Sequence, residues 1–385
     1  MSTGTKKRTS YFAIGQTPFN RLFSLLKHID YSLLFVVLCL CFFGLLVIYS
    51  TTHVQVTEAG SLFYVRRQLI YILAGIVLCF LVSLIDYHEI EKIAIPIYFI
   101  ALIALLYVVF FGRTTAGARR WIVIAGFDFQ PSEFAKIALI CFLANFFNKQ
   151  KERLPYFAYF VLPFLFTIIP MLLIFRQPDL GSSMVFLAIL ICMIFVAGIK
   201  WNYIIIMFLA TLASFPILWS FLKDYQKNRL ILFINPNLDP LGAGYNIIQS
   251  KVAIGSGGLF GQGLFSGIQS QLKFLPAQHT DFVFSVIGEE MGFFGALLLL
   301  ALFVFVLWKG IKIAQEAPDL LGTFLATGVV AFLFFHIFVN IGMAMGLIPA
   351  TGLPLSFVSY GGTFMISNFI AIGILFSVHI RSIFA

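Results

Sequence analysis

Residues 279–292 read HTDFVFSVIGEEMG and set three carboxylates, Asp281, Glu289 and Glu290, at the head of an apolar run that continues GALLLLALFVFVLW. Ionisable residues at membrane depth face a cavity or each other, so each acid is a candidate for chemistry. A buried acid can stay neutral, relay protons or act as a hydrogen-bonded strut, and the strut is the favoured reading for Glu289 and Glu290. Asp281 lies nearest the surface. There it either caps the helix that starts near Thr280 or meets a polar substrate. Gly288 and Gly292 fall on its face of that helix. The string GEEMG matches the small-xxx-small pattern of close helix packing, within the chain or against a partner's membrane helix.

A second constellation is AGARRWIVIAGFDFQPSEFAKIAL at 116–139. Pro131 opens a helix, and Glu133 in its first turn suits the helix dipole. Glu133 and Lys136 are three apart and share a face, which fits a structural ion pair as well as a pair lining a cavity. Arg119 and Arg120 precede them. Guanidinium matches phosphate oxygens two at a time, while lipid-headgroup contact is the plainer use. In FRQPDLGSS at 175–183, a turn held by an Arg176–Asp179 pair accounts for the pattern, with a substrate-facing Arg176 as the alternative. The stretch 223–280 is rich in Gly, Gln and Ser and is expected to fold, partly as amphipathic segments on the membrane. Its GSGGLFGQG misses the dinucleotide-binding GxGxxG and reads as tight turns. Lys251 and Lys273 there read as solvated. The glycines and prolines of NIGMAMGLIPATGLPLSFVSYGGTF at 340–364 describe a hairpin or broken helix, which is tolerated at depth only against protein or a water-filled cavity. No HExxH, CxxC, GxSxG or Walker pattern occurs, and His53, His88 and His336 have no companions in the sequence.

The elements that must carry these groups are membrane helices. Of 385 residues, 61% are hydrophobic and 11% charged, and the mean hydropathy is +1.00; soluble chains carry about a quarter charged residues. The net charge of +9 therefore reads as basic loops at a membrane surface and argues against nucleic acid. No cleavable signal peptide is evident in residues 1–30, and the five cysteines read as buried small hydrophobes. A span needs about 20 apolar residues, and ten candidates meet or approach this: 33–50, 69–85, 93–111, 133–147, 157–175, 181–199, 203–222, 281–307, 320–346 and 361–380. With a cytoplasmic N-terminus, thirteen Lys and Arg fall on inner segments and six on short outer loops, which favours both termini inside. The fold class expected is an all-α polytopic membrane protein with about ten transmembrane helices and a large external loop between the seventh and eighth. It is a single membrane domain over 1–385, with 1–30 a cytoplasmic tail and 223–280 the external loop. All the polar constellations then face outward.

GARRWI at 117–122, QPSEFAK at 130–136, RQPDLGSS at 176–183, DPLGAGYNIIQSKVAIGSGG at 239–258, GIQSQLKFLP at 267–276, HTDFVFSVIGEEMG at 279–292 and PLSFVSYGG at 354–362 together resemble the SEDS family (shape, elongation, division and sporulation) across essentially the whole chain. GIQSQLKFLP places it nearer the RodA branch than the FtsW branch. Two departures stand out: Ala277 where the family usually has Glu, and Ser356 where it usually has Pro. The resemblance implies a multi-pass protein of the bacterial cytoplasmic membrane that polymerises lipid II into glycan strands, as an inverting glycosyltransferase of cell elongation and shape maintenance. It implies a class B penicillin-binding protein as transpeptidase partner, with lipid II, the growing strand, the elongation machinery and membrane lipid as further contacts. It makes Asp281 the catalytic aspartate, and the substrate-binding candidates are Glu133, Lys136, Arg119, Arg120, Arg176, Lys251, His279, Thr280, Ser359 and Tyr360. No cofactor is called for, and a divalent cation stays open. The competing readings are a flippase or transporter of the lipid-linked precursor, and a non-catalytic scaffold for the penicillin-binding protein.

Overall fold

The structure, a computed structural model, describes residues 27–52, 62–115, 118–124, 126–150, 157–198 and 224–384 except 241, 243 and 273, together with 205, 209, 213, 219 and 220. In chain order the elements are α1 (Tyr31–Thr52), α2 (Phe63–Leu84), α3 (Tyr87–Phe111), strands β1 (Arg113–Thr115), β2 (Ala118–Ile124) and β3 (Phe127–Phe129), α4 (Pro131–Gln150), α5 (Phe157–Arg176) and α6 (Leu180–Val196). They continue with α7 (Asp224–Ile234), a 3-10 turn at Pro236–Leu238, α8 (Tyr245–Ser256), α9 (Ile268–Gln271), α10 (Val283–Gln315), α11 (Leu320–Ala344) and α12 (Gly362–Ile383). Helices α1, α2, α3, α10, α11 and α12 are each long and apolar enough to span a membrane. With α4, α5 and α6 they cover nine of the ten expected spans; 203–222 lies largely outside the described residues. The protein is a polytopic helical membrane protein.

The core gathers around α4, α11 and α12. About 83% of the apolar window of α12 and 72% of that of α11 is buried, against 22% for α3 and 28% for α2. Exposed Ile100, Ile103 and Phe110 on α3 are ordinary where lipid tails are the solvent. Helix α4 has the shortest apolar run, and it is enclosed along most of its length. Its sides face protein, so it needs less apolar sequence than a lipid-facing span.

The outer connection 112–130 folds as a small antiparallel sheet in the order β1-β2-β3, a feature the helical expectation did not contain. ARRWIVI carries β-branched and aromatic residues suited to a pleated surface. Gly126, at φ 81°, makes the turn into β3, with Ile122 opposite Phe129. The sheet delivers the chain to Pro131. Thr363 at the start of α12 locks it there: its hydroxyl donates to Asp128 O (3.1 Å) and accepts from the Gln130 amide (3.3 Å).

Gly292 does not pack two helices together. It breaks α10, with φ 65° and ψ −160°, a conformation open to glycine. The loop 258–263 closes the gap: the Gln262 and Gly263 amides donate to Glu289 O and Glu290 O, and Phe293 and Phe294 donate to Gly258 O and Leu259 O. A broken helix in a membrane needs such partners, so the glycines of GSGGLFGQG serve as backbone partners for the break. Gly288 meets Ile254 of α8 within the chain, where a Cβ would lie 3.2 Å away. Glu289 accepts from the Gln269 and Ser270 amides (2.6 and 3.1 Å) and Glu290 from the Ser50 hydroxyl, so both acids are struts. At the other end of the helices, His88 has companions after all: Asp86 at 2.8 Å and Asp319 at 2.7 Å.

Candidate functional site

Asp281 sits in a turn braced from three directions. Ala277, at φ 50°, offers its carbonyl to the amides of Thr280, Asp281 and Phe282. Asn340 of α11 donates to Asp281 O (2.8 Å) and Leu353 O (2.7 Å). From the 353–360 segment, the Ser359 hydroxyl donates to Thr280 O (2.5 Å) and the Tyr360 amide to His279 O (2.9 Å). Gly352, at φ 74°, gives Asp281 room, since a Cβ there would lie 3.3 Å from Oδ2. Helix α10 starts at Val283 with Phe282 in the N-cap position and no side-chain cap. The Asp281 carboxylate is thus not used up in capping.

That carboxylate opens on a cavity of about 530 Å³, within the range of small-molecule sites, roughly 300–1,000 Å³. Arg67, Arg113, Arg120 and Arg229 line it together with Asp128, Glu133, Asp179 and Asp281, and His279, Tyr360, Thr351 and Thr363 supply neutral polar groups. Burial pushes the Asp281 carboxyl above the ordinary carboxylate range, and Asp179 adds to the rise. A hydrogen bond with Thr280 and the charges of Arg229 and Arg120 pull it back only in part. Burial lowers the His279 imidazole, which favours its neutral form, and raises the Tyr360 phenol to about 12.

Of the candidates from sequence, Asp281, Glu133, Arg120, His279, Thr280 and Tyr360 come together in this lining. The others sit elsewhere. Lys136 is wholly buried behind Glu133, with Nζ 2.8 Å from Oε1. Ser359 braces the Asp281 turn from behind. Side chains alternate along a strand, so β2 turns Arg120 to the cavity while the exposed Arg119 reaches back to Phe110 O (3.5 Å). Arg176 is exposed at the end of α5. Lys251, on α8, lies against Gly346, away from the cavity.

The expected Arg176–Asp179 pair does not form. Asp179 caps α6 through the Ser182 amide and hydroxyl (3.1 and 3.0 Å), and its ion pair is with Arg120 at 3.5 Å. Arg120 also donates to Gln177 O and Pro178 O. The strand side chain takes the place in the turn because the sheet folds over it.

Sequence reasoning passed over Arg67, Arg113, Arg229 and Asp128. Arg67 and Arg113 carried the same signal as Arg120, a basic residue on the side where basic residues are disfavoured. Arg229, whose Nη1 donates to Ala350 O (3.1 Å), gave none. Among the described residues no group of three or more His, Cys, Asp or Glu is placed to hold a metal ion.

Fold and cavity together define a polytopic membrane protein whose outer cavity gathers four arginines and four carboxylates, Asp281 among them. Residues 31–383 match the cell cycle protein family of FtsW, RodA and SpoVE, and the chain belongs to that family. The peptidoglycan glycosyltransferase MrdB of Escherichia coli K12 is 40% identical over 353 residues, covering 91% of this chain and 94% of its own. A probable peptidoglycan glycosyltransferase FtsW of Geobacter metallireducens is 37% identical over 363 residues, covering 92% and 96%. Among solved structures, a chain from a peptidoglycan synthase complex that coordinates polymerization and crosslinking superposes with a TM-score of 0.79 at 30% identity, covering 92% of this chain and 98% of that one. The rod shape determining protein RodA of Thermus thermophilus gives 0.67 at 29% identity, covering 91% and 96%.

Proposed function

We propose that the protein is a peptidoglycan glycosyltransferase of the bacterial cytoplasmic membrane. It polymerises lipid II into glycan strands during cell elongation, beside a class B penicillin-binding protein that cross-links them. The observation that carries this reading is the Asp281 carboxylate, uncapped, without an ion pair among the described residues, and facing a cavity that also holds four guanidinium groups. Lipid II carries its sugar on an α-pyrophosphate, and the polymer bond is β, so the transfer inverts once. Asp281 takes the proton from the acceptor's 4-hydroxyl as that oxygen attacks the anomeric carbon. The C–O bond to the pyrophosphate breaks, and its electrons leave with the pyrophosphate. A carboxylate raised above its ordinary range is a stronger base than a free one, and neutral-range chemistry favours that. Arg67, Arg113, Arg120 and Arg229, which share the cavity, stabilise the departing pyrophosphate oxygens. Glu133, His279, Thr280 and Tyr360 meet the sugar and peptide polar groups, with Lys136 and Ser359 supporting them from behind.

The test is polymer formation from lipid II by the purified protein with its partner, read on a gel. Lipid-linked polymer in the presence of the protein supports the reading. Passage of lipid II across a vesicle bilayer without polymer would make the protein a transporter, and neither activity would leave it a scaffold.

A further inference from the structure

His336 of α11 is wholly buried, lies outside the cavity lining, and has no task in the reaction above. Its ring is held between Phe332 and Phe364, with centroids 5.0 and 4.8 Å away. Its Nδ1 is 3.2 Å from Pro354 O and its Nε2 is 3.1 Å from Lys136 Nζ. A carbonyl only accepts, so Nδ1 carries the hydrogen. An ammonium only donates, so Nε2 presents its lone pair. His336 is thereby the neutral Nδ1–H tautomer, wedged between the 353–360 segment and the Lys136 head.

Lys136 in turn gives one hydrogen bond to Glu133 Oε1 at 2.8 Å. Glu133 Oε2 is buried and has no hydrogen-bond partner among the described residues, yet Glu133 belongs to the cavity lining and Lys136 does not. A buried carboxylate oxygen without a donor is costly unless something fills the place. The line His336, Lys136, Glu133 thus ends in one buried, unpartnered acceptor on a residue of the cavity lining. Pro354, which anchors one end of it, belongs to the same segment whose Ser359 braces the Asp281 turn.

We infer that His336 is a positioning residue: it fixes the Lys136 ammonium so that Glu133 presents Oε2 to a hydroxyl or amide hydrogen of the substrate. This rests on the glycosyltransferase reading. Without His336 the buried ammonium keeps one polar partner in place of two and can swing off Glu133, turning the carboxylate with it.

His336→Leu keeps much of the volume and removes both bonds. In His336→Gln, the amide oxygen can accept from Lys136 while its NH₂ donates to Pro354 O. With the partner present, His336→Leu is expected to polymerise lipid II about 10–100-fold more slowly, the scale of a misplaced catalytic group, while His336→Gln recovers most of the rate. Adding Lys136→Met to His336→Leu should cost little beyond Lys136→Met alone, since coupled residues do not add. On the unmutated protein, ¹⁵N spectra of labelled histidine should show one buried ring with Nδ1 protonated and Nε2 bare, the latter shifting in Lys136→Met. That measurement holds even where the leucine variant fails to fold.

An active parent whose His336→Leu variant keeps full rate would overturn the inference, as would a glutamine variant no better than leucine, strict additivity, or a ring protonated on Nε2. A parent that makes no polymer overturns the glycosyltransferase reading instead, and the role assigned here goes with it.

Discussion

The outer and inner ends of the helices both gather charge, and they use it differently. At the inner end several charged groups are engaged in structure. Lys309 meets Asp30 at 2.8 Å, His88 bridges Asp86 and Asp319, and Arg381 donates to Ser83 O, Leu84 O and Ser377 O. These bonds tie turns together. At the outer end, Asp281 is raised by burial, Glu133 keeps an unpartnered oxygen, and four arginines share a cavity with them. Charge that only ties backbone turns together is scaffold; charge gathered around an opening is a candidate site.

Four measurements bear on that contrast. Asp281→Asn should have the largest effect: general-base help is worth roughly 10²–10⁴-fold, so turnover of lipid II should nearly vanish while insertion and partner binding persist. An active Asn variant would return Asp281 to a structural place in its turn. Lys136→Ala follows, with polymerisation falling far more than the yield of folded protein. Breaking a buried pair costs about 3–5 kcal/mol because it strands the other charge, so Lys136→Met with Glu133→Gln serves as the folded control. Parental turnover in that double variant would move the pair to the scaffold side.

Arg229→Gln should act on the pH profile. A base works deprotonated, so the rate falls as pH drops through the Asp281 pKa. Arg229 lowers that pKa, so its loss raises it and should move the acid limb to higher pH. An unmoved limb would separate Arg229 from Asp281. The smallest effect belongs to the inner end. Burial would raise Asp30, but Lys309, Ser32 and the Leu33 amide outweigh it and hold it at about 2, down from 3.8. A lowered acid contributes its stability above its unfolded pKa and loses it as pH falls through the folded one, so the Asp30–Lys309 pair acts in full at neutral pH. Lys309→Met should cost about 1–2 kcal/mol, between exposed and fully buried pairs. It should lower the melting temperature and leave polymerisation per folded molecule unchanged.

The amino-acid sequence by itself determined nine of the ten expected spans, because partition between lipid and water depends on local composition. It also determined the Glu133–Lys136 pair, because three residues of helix bring two side chains to one face wherever the helix goes. The acids of GEEMG were legible as struts for a similar reason: a charge at that depth must be satisfied. Asp281 was singled out by the motif around it. The tertiary structure alone decided which arginines share a cavity with Asp281. Arg119 and Arg120 are neighbours in sequence, and only the strand of an unforeseen sheet separates their directions. Asp179 had Arg176 three residues away, yet its partner came from the sheet. Arg67 and Arg229, 162 positions apart in sequence, share one cavity, and His336 reaches Lys136 across 200 residues. The break at Gly292 looks like a packing motif until the loop 258–263 is laid against it. Local spacing specifies a contact only when both groups ride on one element; between elements the contact depends on how helices pack, and that is a property of the whole chain.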